Sequence, residues 1–152
     1  AEHAVIVADS SKEYVPAIEN YVLAGDIYSL QGEMKDIVGD NSSEMYKLAA
    51  YYYYRASRKS QAAELEAVRQ SFIRHLSGNY FSAEVMQYEA AAAMAPHHFQ
   101  KSLLYDKSAE LFKKAGMEQH AEWMLNGNTI KNFTWEDLQA EQDSTQTRAS
   151  QD

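Results

Sequence analysis

Histidines and carboxylates are the residues whose chemistry depends most on spacing. His97 and His98 are adjacent and follow Pro96. Neighbours on a helix project about 100° apart, so this pair does not converge on one metal ion. No His-x-x-x-His, Glu-x-x-His or His-Glu-x-x-His occurs, which removes the usual signatures of di-iron bundles and zinc proteases. The pair reads as polar residues at a helix start after Pro96. His75 reads as a cation at a helix C-terminus, and His120 as a surface residue. Glu64, Glu66, Glu110, Glu118 and Glu122 read as solvated. Glu84 and Glu89 flank Tyr88 in an alanine-rich run; they fit a salt bridge at a packing edge, or acids in a cleft. There is no cysteine, so no disulfide framework, thiol nucleophile or zinc ribbon can form. "AGDIYSLQGEM" contains neither Gly-x-Gly-x-x-Gly nor Gly-Lys-Ser/Thr, so no phosphate loop is expected. No catalytic residue, metal ligand or cofactor is assigned.

Recognition is better served. Tyr51 to Tyr54 run consecutively into Arg55, Arg58 and Lys59, the densest basic cluster in the chain. Helical spacing places Tyr53 on one apolar stripe with Tyr46, Ala49, Ala56, Ser60, Ala63 and Ala67. Tyr51, Tyr54, Arg55 and Arg58 fall near the opposite face, with Tyr52 on the flank. Tyr and Arg are the residues most enriched at interface hot spots. Tyr51, Tyr54, Arg55, Arg58 and Lys59 are therefore the expected partner-binding residues. The competing readings are a solvated helix face, or a second packing face on a helix buried on two sides.

The elements that must position this cluster are helical. Six glycines and two prolines are few for a loop-rich chain of 152 residues, and long stretches use good helix formers. Residues 1–10 contain a short β-branched run and are expected as an extended arm. Residues 11–127 are expected as one all-α domain, opened by a capping box at Ser10-Ser11-Lys12-Glu13. A break at "GDNSS" precedes a helical region from Glu44 to Leu76, with an interruption near Ser57–Ser60. "SGNYFS" is expected to turn, Ser82 to cap the next helix, Pro96 to end it and start another, and Gly116 to close that one. "MEQHAEWML" gives a fifth helix. Residues 128–152 are expected as an acidic, largely irregular tail with one short helix begun by Thr134 and Asp137, whose Trp135 and Leu138 could dock on the body.

A pattern recurs along these helices. Tyr14, Ala17, Tyr21, Ala24 share their spacing with Tyr46, Ala49, Tyr53, Ala56. Phe81, Glu84, Tyr88, Ala91 and Tyr105, Ser108, Phe112, Ala115 repeat it, with Glu84 a departure. Small residues admit a neighbouring helix and the aromatic one turn away fills the gap. Tyr14, Tyr21, Tyr53, Tyr88 and Phe112 are the expected core. Between Tyr14 and Leu125 the chain resembles helical-hairpin repeats of the tetratricopeptide class and irregular relatives such as the soluble NSF-attachment proteins. That resemblance implies five or six helices stacked as irregular antiparallel hairpins, with a concave binding side. A plain helical bundle gives a similar pattern.

The net charge of -8 disfavours direct binding to nucleic acid or anionic membrane. No apolar run reaches the length of a membrane span, and "HAVIVA" lacks the basic leader of a signal peptide. The expectation is a soluble, cytoplasmic, non-enzymatic interaction module: an adaptor, chaperone-like partner or inhibitor. Its partner is a protein or peptide, and self-association is compatible with it. Two other readings stay open: an acidic decoy covering another protein's nucleic-acid-binding surface, and a helical-bundle enzyme or cofactor carrier.

Overall fold

The structure is a computed structural model that describes residues 1–78, 82–127 and 129–151, with side chains as far as residue 144. Among the described residues the chain is all-helical: α1 (Glu2–Ser10), α2 (Tyr14–Ile37), α3 (Ser43–Ser77), α4 (Ala83–Lys114), α5 (Glu118–Leu125) and α6 (Trp135–Gln151). No helix among them is long and apolar enough to cross a membrane.

α3 is the central rod, and α2 and α4 lie antiparallel to it on either side. On α2, Gly25 faces the Tyr53 ring and Gly32 faces the Tyr46 ring; an added Cβ would come within 2.8 Å and 2.7 Å of ring carbons. The two glycines are thus the sockets that let α2 reach α3, at the expense of helix propensity. On α4, the Ser108 hydroxyl donates to the Ala50 carbonyl of α3 at 2.6 Å, and the Ser43 hydroxyl of α3 donates to the Ala115 carbonyl at 3.0 Å. Gly116 adopts φ +84° after α4, the left-handed closure that glycine permits.

The ring-and-small-residue pattern is buried where a third element covers the pair. Tyr21, Ala24, Tyr46, Ala49, Tyr53, Ala56, Tyr105, Ser108, Phe112 and Ala115 are all buried. The expectation fails at Tyr14 and Tyr88, which are 36% and 70% exposed. Tyr14 opens α2 beyond the packing surface. Tyr88 lies on the outer part of the α3–α4 hairpin, where between Leu65 and Phe99 only Ser71, His75 and Ala90 are buried among the described residues. Phe81, and most of the turn expected at "SGNYFS", lie outside the described residues.

Other local expectations are revised. Residues 2–10, read as an extended arm, form α1: Ala4 and Ala8 pack inward, so helical burial overrides the β-branched Val5, Ile6 and Val7. Ser10 and Ser11 do not cap α2; their hydroxyls donate back to the carbonyls of Ile6 and Val7 in α1. α3 continues through Ser57 and Ser60, whose hydroxyls donate to the carbonyls of Tyr54 and Ala56 within the helix. α4 continues through Pro96. Pro96 is exposed, so water reaches the backbone group that its missing N–H leaves over. His97 and His98 consequently lie mid-helix rather than at a start. The C-terminal segment is mostly helix, entered by a reciprocal cap: Thr134 N–H donates to Asp137, and Asp137 N–H to the Thr134 hydroxyl. Leu138 is fully buried, and the Lys47 amine, fully buried on α3, donates to Gln139 and lies 4.5 Å over the Trp135 ring.

Candidate protein-binding cleft

The cluster Tyr51, Tyr54, Arg55, Arg58 and Lys59 lines a single open cavity of about 350 Å³, completed by Ala62, Phe133 and Thr134. α3 supplies one wall. The segment entering α6 supplies the other, and α3 is therefore covered on two sides.

That second covering decides what each residue does. Tyr54 is buried, not presented: its ring stacks on Phe133 at 3.8 Å between centroids. Its hydroxyl oxygen accepts from the Phe133 N–H at 3.1 Å and from Arg58 Nη1 at 2.9 Å. Tyr54 forms the floor of the cleft. Tyr51 is half-buried and meets the edge of Trp135 at 5.1 Å; burial pushes its phenol above the ordinary value. Arg58 is exposed and Lys59 half-buried, and both present cationic groups to the opening.

Arg55 has a different task. Its Nη2 donates to Asp9 of α1 at 3.1 Å and to the Tyr21 hydroxyl of α2 at 2.6 Å, while the Tyr21 hydroxyl donates to Asp9. The guanidinium also lies 4.7 Å over the Tyr21 ring. Burial alone would lower its pKa, but the facing Tyr21, Tyr51 and Asp9 outweigh it and hold it above its ordinary value. Burial and the Asp9 hydrogen bond likewise push the Tyr21 phenol well up. One junction thus ties α1, α2 and α3 behind the cleft.

The residues with spacing-dependent chemistry are spread out. Glu64, expected in solvent, is buried on α3, with Lys101 of α4 at 2.6 Å and His98 at 3.3 Å. His75, 9% exposed, meets Glu89 across the outer hairpin, and Glu84 is exposed. His120, expected at the surface, is buried against Phe112 and Phe133, with Nδ1 at 2.9 Å from Glu141 of α6. Burial lowers its pKa, against the opposing pull of the Glu141 carboxylate. Among the described residues no three His, Asp or Glu side chains gather as a metal site. Phe133 and Thr134 were not expected in the cleft. The sequence signals for this segment were the Thr134–Asp137 cap that starts α6 and the pair Trp135 and Leu138, read as able to dock on the body.

Comparison with known proteins gives no match: no family model fits the chain, and no curated protein or solved structure is similar to it.

Proposed function

We propose that the chain is a non-enzymatic protein–protein interaction module whose Tyr/Arg cleft receives an acidic segment of a partner. The observation that supports this reading is the single cleft shared by Arg58, Lys59, Tyr51 and the Phe133–Thr134 wall. Cations stand at its mouth and fixed rings form its floor. Such a surface offers charge-assisted hydrogen bonds to carboxylates and a rigid apolar contact for the side chain between them. On a chain of net charge -8, this local basic group selects where an acidic segment lands.

The test is fluorescence anisotropy of a labelled peptide alternating Asp or Glu with Leu and Phe, titrated with the full chain. Arg58→Glu with Lys59→Glu is expected to weaken binding by roughly tenfold or more, with unchanged circular dichroism, because both side chains reach the opening. Arg55→Glu is the poorer variant, since it also breaks the junction with Asp9 and Tyr21. Unchanged affinity in the Arg58/Lys59 double variant rejects the cleft as the binding surface.

A further inference from the structure

α2 is apolar on two sides, and α3 covers only one of them. Gly25 and Gly32 lie against Tyr53 and Tyr46. On the opposite side Leu23, Ile27, Leu30, Met34 and Ile37 succeed one another at steps of 4, 3, 4 and 3. This is the seam spacing of a coiled coil. Leu23, Leu30, Met34 and Ile37 are 48, 59, 65 and 83% exposed, and Ile27 is half-buried. α2 also packs against α1, but the outward face of a surface helix normally carries polar residues.

The borders of the seam differ from each other. Asp26 and Glu33 directly precede Ile27 and Met34, and Glu19 lies one heptad before Asp26. All three are exposed. Asp26 accepts from the Tyr53 hydroxyl and lies 3.9 Å from Lys107. Glu19 and Glu33 have no ion-pair partner among the described residues. Lys107 and Lys114 of α4 line one cavity with Asp26, Leu30 and Glu33, Lys107 lying 4.6 Å over the Tyr53 ring and Lys114 5.7 Å over the Tyr46 ring. The other border is neutral: Gln31 is exposed and Ala24 is already buried within the body.

We propose that this outer face of α2 docks an amphipathic helix of a partner protein, whose apolar stripe is bordered by Lys or Arg. The seam from Leu23 to Ile37 covers roughly 20 Å, so the partner helix needs about four turns. A second copy fits less well. In an antiparallel self-pair the acidic border meets itself, and in a parallel pair it meets the neutral side that carries Gln31. The acidic row also differs from a phosphate track: its heptad step is about 10.5 Å, against a rise of about 3.4 Å per strand phosphate. No residue of the seam belongs to the Tyr/Arg cleft, so the two surfaces stand or fall separately.

The experiment uses the full chain and two designed helical peptides with identical leucine seams, one bordered by lysine and one by glutamate. The lysine peptide is expected to bind roughly tenfold tighter by anisotropy, with the preference shrinking as salt rises. Leu30→Asp with Met34→Asp is expected to abolish its binding. Glu19→Lys with Glu33→Lys is expected to reverse the preference. Circular dichroism checks that these exposed substitutions leave the fold intact. Equal binding of the two peptides, or binding of neither, overturns the proposal. So does sedimentation of the free chain as a dimer that Leu30→Asp disperses, which would assign the face to a second copy.

Discussion

At the scale of single residues, two side chains are fixed by what surrounds them. The Tyr53 ring rests on Gly25 and its hydroxyl is held by Asp26, so the ring cannot swing aside. Gly25→Ala places a methyl group within 2.8 Å of it. Overpacking of this kind costs about 1–3 kcal/mol, and the gain in helix propensity returns only about 1. The expected outcome is a net loss of stability, read as a lower urea midpoint at unchanged slope. His120 makes the second prediction. Burial holds its folded pKa below the unfolded value near 6.5. Above that pH it is neutral in both states. As pH falls through it, the unfolded chain takes a proton that the folded chain resists, so stability declines until the lowered folded pKa is reached. Denaturant midpoints measured between neutral and mildly acid pH should show the decline, and His120→Phe should flatten it.

At the scale of elements, helices with a strict stripe were legible and their junctions were not. The all-α class followed from few glycines, few prolines and the Tyr-Ala spacing. α1 was misread because Val5, Ile6 and Val7 speak for an extended chain locally, while Ala4 and Ala8 speak for a helix only once α2 is there to receive them. The cleft cluster was visible because its residues are one helical turn apart. Tyr54 was misplaced because its cover, Phe133, is 79 residues downstream in a segment without periodicity. Pro96 was read as a terminator; no local rule tells that α4 tolerates it on an exposed side. Removing it is the prediction at this scale. Pro96→Ala restores a backbone donor mid-helix and should raise stability by about 1–3 kcal/mol, measured by the same urea titration and by stronger helical circular dichroism.

For the whole molecule, the C-terminal segment completes the body rather than trailing from it. Leu138 is fully enclosed, Lys47 is held by Gln139, and Trp135 closes on Tyr51. Leu138→Ala should therefore lower stability by about 2–5 kcal/mol, seen as a reduced thermal midpoint. Because Phe133 also roofs Tyr54, weaker binding of the acidic peptide should accompany it. The alternation α2–α3–α4 is a stack of antiparallel neighbours, with α1 packed on α2 and α5 on α4.

The outer half of the α3–α4 pair has one more consequence. α3 is 35 residues long, roughly 50 Å, yet its dense burial ends at Glu64 and among the described residues only α4 accompanies the remainder. The outer part, about 20 Å long, is pinned near its tip by His75 and Glu89 and rooted at Glu64 and Lys101. A tilt of a few degrees at that root would move Leu76 and Val85 further than any residue closer to it. Anything that grasps or releases the far end thus has mechanical advantage over the anchored end.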